Sequence, residues 1–357
     1  VTEVVLLVNG TRYGGWQEID VQRSMRAISG RFSLTLSERF PGNPTRWPVS
    51  QGDACALIIG GQTVITGYVD TRQASFSASD HTVNVTGRDR SADLVDCAPE
   101  IGTYELAGVT ALQLAQRLAK PFSVPISSQI GGLKTLDKFD IQPGETAFDC
   151  INRACQLSAV LPIPQGDGSV VLEREGRARA GTDIREGDNV LSMSLRRSLE
   201  QRFHRYVVAG QHFGTDTLNG EDAATPRAEA TDPNVRESRV LYLRPSGNLS
   251  AAQAQERADW ESANRAASSV EVSATLQGWT QRDGRLWEIN RVVRVVSDTL
   301  SIDADMLIVS VSFTLNAQGT RTALTLAPLG SFRPDPVQKE SASDGKQTGI
   351  GWGDGYD

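Results

Sequence analysis

Histidine and cysteine are scarce in this chain, and their scarcity closes off a class of function. Three histidines, His81, His204 and His212, are scattered through strand-like or loop sequence. Of the four cysteines, Cys150 and Cys155 stand close together, but no histidine or second cysteine pair accompanies them. That pattern predicts neither a metal site nor a disulfide framework, and Cys55, Cys97, Cys150 and Cys155 are expected to be free, mostly buried thiols. G-x-S-x-G, H-E-x-x-H, P-loop and dinucleotide fingerprints are missing, so neither an enzyme nor a cofactor is predicted. No apolar run approaches the roughly eighteen residues of a membrane span, which predicts no membrane insertion. "VTEVVLLVNG" reads as a first strand rather than a signal peptide, so assembly in the cytoplasm is expected. Positive charge is in short supply too. A formal net charge of −7 argues against general affinity for nucleic acid, which needs a basic face.

What the chain has in quantity is strand and turn. "EVVLLVNG", "FSLTLS", "ACALIIGG", "TVITGYVD" and "HTVNVTG" alternate or run apolar over strand lengths, with a hairpin expected at Gly60-Gly61. The Pro/Gly loop 38–48 lies between them. Residues 1–97 therefore predict a small antiparallel barrel or sandwich rather than a parallel sheet, and a first β-barrel is the expected form. From 98 to 195 the pattern becomes α+β. Thr110 with Gln113, and Thr146 with Asp149, form capping boxes ahead of two helices. Leu112, Ala115, Leu118 and Phe122 are expected to face the core from the first helix, and Phe148, Ile151 and Cys155 from the second. Residues 196–330 return to β and predict a second barrel, carrying an inserted polar loop (211–240) and a helix (250–267) capped by Ser250 and Gln253. Along that helix Trp260, Ala263 and Ala267 are expected on the buried side. The Gly/Asp-rich segment 331–357 lacks periodicity and predicts a flexible tail.

Two clusters invite a chemical reading. "TGRDRSADLVDC" places Asp89, Asp93 and Asp96 at helical spacing beside Arg88 and Arg90. Arginine neighbours lower carboxylate pKa values, which suits a structural clasp at a domain junction better than a general acid. Leu94 and Val95 are expected to anchor the turn. In "LRRSLEQRFHRY", Arg196, Arg197, Arg202 and Arg205 are interrupted by Glu200, which suggests a half-exposed connector with solvated or inter-subunit ion pairs. Trp47, Trp279 and Trp287 are candidates for interface anchors or for core packing. The loops 38–48 and 211–240 are further candidates for contacts between subunits.

The stretch from Trp47 to Asp89 and the one beginning at Trp287 repeat one pattern: Trp, strand, turn, long strand, turn, closing strand. The tryptophans stand 240 positions apart, and Leu324 follows Val83 by 241. A duplicated barrel of this kind can build a trimeric ring with six near-equivalent positions. "GYVDTRQASFSASDHTVNVTGRDRSADLVDCA", "GETAFDCINRACQLSAVLPIPQGDGSVVLER" and "GWTQRDGRLWEINRVVRV" resemble, in chain order, segments of the baseplate hub proteins of Mu-like contractile phages. The resemblance covers nearly everything to residue 330. It implies a non-enzymatic homotrimer assembled in the bacterial host cytoplasm, a pseudo-sixfold ring joining the tail tube to the central spike and letting DNA pass without specific binding. Similar barrels occur in type VI secretion spike proteins, so a hub of a phage-derived injection machine is an alternative. A further alternative is a tail-associated peptidoglycan-binding or lytic protein, because "IQPGETAFDCINRA" resembles the opening of a LysM module.

Overall fold

A computed structural model of the chain describes residues 3–37, 49–77, 81–176, 178–209, 227–244 and 250–335. The fold is mainly β. Strands Val4–Val8, Thr11–Tyr13, Glu18–Ser24, Ala27–Ser37, Ala54–Ile59, Gln62–Phe76 and His81–Asp89 pair antiparallel in the first unit. Their alternation puts Leu6, Leu34, Leu57 and Val85 on one buried face. Gly60 and Gly61 take φ of 56° and 80° and close the tight hairpin between Ile59 and Gln62.

The second β unit contains Val190–Arg197, Val270–Gln277, Arg291–Ser297, Ile302–Asn316 and Gly319–Pro328. Two short strands, Ala178–Arg179 and Ile184–Arg185, add to Arg291–Ser297 in parallel. The stretch 178–197 thus hydrogen-bonds into this unit, whereas its sequence reads as the close of the middle region. Two-residue strands carry no periodicity, so nothing local announces their partner.

The β units are not separate bodies. Glu18–Ser24 pairs antiparallel with the second half of Ile302–Asn316, from Ser24 opposite Ser310 to Ile19 opposite Leu315. One fourteen-stranded sheet results, with one core running through both units. Among the described residues no ladder closes either unit into a barrel.

The internal repeat is visible in the pairing. In the first unit the strand order is Ala54–Ile59, Gln62–Phe76, His81–Asp89, Ala27–Ser37, Glu18–Ser24. The second repeats it as Arg291–Ser297, Ile302–Asn316, Gly319–Pro328, Val270–Gln277, Val190–Arg197. Both long strands have 15 residues. Each also carries one bulge against its closing strand, at Asp70 and at Val309. Aligning the bulges makes Leu324 the counterpart of Val85, two residues on from the Val83 that sequence spacing matched. Turn lengths differ between the copies, and register, unlike spacing, is insensitive to them.

Between the β units lie α1 (Ala92–Asp96), α2 (Ala111–Ala119) and α3 (Ala147–Leu157), with a two-stranded and a three-stranded sheet around a separate core. Both capping boxes form as the sequence predicts, as does that of α4 (Ala251–Ser268). The buried faces are rotated slightly from expectation. Ala111, Leu114, Ala115, Leu118 and Ala119 are buried on α2, and Ala147, Cys150, Ile151, Ala154 and Cys155 on α3. On α4 the buried residues are Ala254, Ala258 and Glu261, the last held by Arg257 at 3.2 Å and Arg265 at 2.6 Å; Trp260 and Ala267 are half-buried and Ala263 is exposed. This helix packs on a small sheet of Arg205–Ala209, Arg227–Thr231 and Val240–Leu243. The described part of the polar stretch 211–240 therefore contains strand.

Candidate functional site

The strand His81–Asp89 hands the chain to α1, and the three candidate aspartates part company there. Asp89 closes a strand rather than sharing a helical face with the other two, and α1 is only five residues long. Strand alternation turns the Asp89 side chain inward, where it is 3% exposed. Its Oδ2 accepts the Gly30 N–H at 2.6 Å and its Oδ1 accepts the Ser91 N–H at 3.0 Å. The Ser91 hydroxyl touches the same Oδ1 and donates to the Ile28 carbonyl at 2.7 Å. Burial pushes the Asp89 carboxyl above the usual carboxylate range, against the pull of these donors and of the nearby Arg23 guanidinium.

Asp96 faces outward. The Arg88 guanidinium forks between Asp70, at 2.8 Å from Nε, and Asp96, at 2.8 Å from Nη2. The hydrogen bond that Arg88 donates to Asp96 holds that carboxyl below its ordinary range and, with the one Arg88 donates to Asp70, raises the pKa of Arg88 itself. Asp93 is half-buried and lines a shallow depression with Gly52, Tyr68, Asp70 and Arg88. Leu94 anchors α1 in the middle core, while Val95 is exposed, since a single short turn can bury only one side.

Glycine and arginine complete the junction in ways the sequence reading missed. A Cβ on Gly67 would strike the Arg88 carbonyl oxygen and lie 2.5 Å from the Asp89 Cα. Arg23 Nη2 donates to the Pro164 carbonyl at 2.5 Å, tying the first β unit to the middle one. Burial lowers the Arg23 pKa, opposed by Asp89, Glu288 and Asp167. The turn "QGDGS" sits directly on the strand Gln62–Phe76: Thr66 Oγ1 donates to the Gly166 carbonyl at 3.1 Å, and a Cβ on Gly168 would come within 2.7 Å of the Thr66 carbonyl oxygen. Paired glycines flanking an aspartate were the available signal.

The arginine-rich connector disperses. Arg196 and Arg197 are exposed on Val190–Arg197, with Arg196 3.7 Å from Glu200. Arg202 instead turns inward to Asp232 at 2.6 Å, and Arg205 lies 3.9 Å from Glu229. Burial pushes the Asp232 pKa up, but bonds from Arg202 and the Asn234 N–H outweigh it and leave the carboxyl below its ordinary range. Trp279 and Trp287 are core residues, with Trp279 Nε1 donating to the carbonyls of Thr314 and Arg321. Trp47 and the loop 38–48 lie outside the described residues, as does the tail from 336. Among the described residues no three His, Cys, Asp or Glu side chains gather where a metal ion could sit, and no helix is long and apolar enough to cross a membrane. This arrangement clamps backbone and joins units: Asp89 is occupied by backbone donors, and Asp70 and Asp96 by Arg88.

Three family models match in chain order. The N-terminal domain of Mu phage baseplate assembly protein GpP-like covers residues 3–89, and the second domain of baseplate hub protein gp44-like covers 91–174. The fourth domain of Mu phage baseplate assembly protein GpP covers 250–335. The 43 kDa tail protein of prophage MuSo2 from Shewanella oneidensis is 30% identical, with a TM-score of 0.83 over 93% of this chain and 99% of that one. The chain belongs to the Mu-type baseplate hub family. The baseplate hub protein gp44 of Escherichia phage Mu is 29% identical over 338 residues, 92% of this chain and 88% of that protein. A tail protein from Neisseria meningitidis MC58 shares the fold at 24% identity and a TM-score of 0.79, over 94% of this chain and 98% of its own. Membership makes the chain a structural baseplate hub protein of a virion tail, not an enzyme. Asp89 and Ser91 stand at the seam between the first two matched stretches.

Proposed function

We propose that three copies of this hub chain close into a pseudo-sixfold ring that joins the tail tube to the central spike and lets DNA pass without binding it specifically. The observation that carries this reading is the repeated five-strand order, with its equal 15-residue strands and corresponding bulges. Two like units per chain give a trimer six near-equivalent positions around one axis. Neighbouring copies complete the two β units as barrels. The clasp of Arg88, Asp89, Asp93 and Asp96 fixes how the middle unit stands on the ring, and Arg196 and Arg197 line its outer contacts. Pairs such as Arg202 with Asp232 hold the small sheet and α4 in place. Averaged electron micrographs of the purified protein test this. The expected particle is a ring with six similar lobes around a central hole, and a compact particle without a hole would overturn the reading.

A further inference from the structure

The helix α4 carries two apolar faces, and the small sheet takes only one of them. Ala254 and Ala258 are buried against that sheet. Trp260, Ala263 and Ala267 are spaced for a second face, yet Ala263 is exposed and the other two are half-buried. Together with Leu329, Gly330 and Arg333 they line a hollow of about 400 Å³. A second hollow, of about 320 Å³, shares Leu329, Gly330 and Arg333 and adds Ala159, Leu161 and Arg174. Leu329 lines both and is 45% exposed, so one apolar groove runs from α4 to the middle unit.

Charge gives this groove a direction. At the middle-unit end, Arg174 and Arg333 are exposed, and among the described residues neither guanidinium meets a carboxylate. Glu175 lies in the same hollow, but its carboxylate already accepts the N–H groups of Gly330 and Phe332. At the α4 end the groove carries Glu256 and Asp259. A segment that fits must therefore be apolar in its middle, cationic at one end and acidic at the other.

The chain itself supplies one. Trp260 Nε1 donates to the Arg333 carbonyl at 2.9 Å and Arg257 pairs with Asp335, so residues 336–357 start out from α4, beside the groove. Residues 336–349 are almost wholly polar and include Lys346. In "IGWGDGYD", residues 350–357, glycine takes every second position down to Gly355. Extended, this stretch sets Ile350, Trp352, Asp354 and Tyr356 on one face. Trp352 is 17 positions past Asp335, a reach of up to about 56 Å, whereas Trp260 and Ala267 stand only about 10 Å apart along α4.

We infer that residues 346–357 lie in this groove of their own chain. Lys346 meets Glu256 and Asp259, Trp352 covers Ala263, Ala267 and Leu329, and Asp354 and Asp357 meet Arg174 and Arg333. The groove is thus a receptor for an extended acidic, aromatic peptide, with the chain's own segment as its occupant. This holds for a single copy and does not depend on the ring.

Photo-crosslinking of the full-length chain tests it, with p-benzoylphenylalanine in place of Trp352. Light is expected to link that position to residues 256–267 or 329–333 within one chain, so that the product keeps single-chain mass on a denaturing gel. Arg174→Glu with Arg333→Glu is expected to lower the yield several-fold, and adding Asp354→Arg with Asp357→Arg to restore it. Links that join two chains overturn the inference by placing the segment on a second copy. Links scattered over the surface, no links, or a yield that the charge reversal leaves unchanged overturn it as well.

Discussion

Replacing Asp89 by alanine removes the acceptor that the Gly30 and Ser91 N–H groups share at the junction. Both donors are buried with it, and a buried donor left unpaired costs about 1–3 kcal/mol, so the loss is about 2–6 kcal/mol. Asparagine keeps one carbonyl oxygen and leaves one of the two N–H groups facing an amide N–H, for about 1–3 kcal/mol. The expected stability order is wild type, then Asp89→Asn, then Asp89→Ala, measured as denaturant midpoints at constant slope. The pH dependence has a definite sign. Burial raises the Asp89 pKa in the folded chain, so its contribution is complete below the ordinary carboxylate pKa and is lost as pH rises through the folded value. Asparagine does not titrate there, and the deficit of Asp89→Asn is therefore expected to be largest in acid and to shrink as pH rises. An alanine variant within about 1 kcal/mol of wild type, below the cost of even one buried unpaired donor, would refute the clasp.

Gly67→Ala is expected to yield little folded protein, since its Cβ would collide with the Arg88 and Asp89 backbone; soluble expression with a native circular-dichroism spectrum would contradict this. Arg88→Met, by contrast, is expected to cost no more than about 1 kcal/mol per lost pair in thermal or denaturant unfolding, because its partners Asp70 and Asp96 are substantially exposed. Asp232→Asn is expected to cost about 3 kcal/mol near neutral pH by breaking a largely buried pair with Arg202. Because the Asp232 pKa is depressed in the folded chain, that cost is expected to fade as pH drops below the ordinary carboxylate value and through the lower folded one, which an acid titration of both proteins checks. Thiol labelling of the native protein near pH 8 is expected to modify Cys97, which is exposed, and to spare Cys55, Cys150 and Cys155, whose pKa values burial pushes up to about 12.

Local signals were legible in the sequence and long-range ones were not. The hairpin at Gly60-Gly61 and the capping boxes at Thr110, Thr146 and Ser250 depend on residues within a few positions of one another, and all form. The contact of Glu18–Ser24 with residues 310–315 spans almost the whole chain, and no periodicity encodes which sheet edge a strand will meet. Asp89 was read by helical spacing because Asp93 and Asp96 follow it, yet the strand alternation of "HTVNVTGRD" runs through Asp89 and governs its side chain. The arginines from 196 to 205 read as one half-exposed connector; a strand end and a turn send Arg196 and Arg197 to solvent and Arg202 inward to Asp232. Glycines 67, 166 and 168 passed for ordinary turn or strand residues, since their close contacts are with backbone distant in sequence.

The mass of the purified protein in solution, measured by light scattering across micromolar concentrations, tests the ring most directly. A species three times the 38.6 kDa of one chain is the predicted result. A monomer that persists across that range, or a dimer, contradicts a ring of six like units.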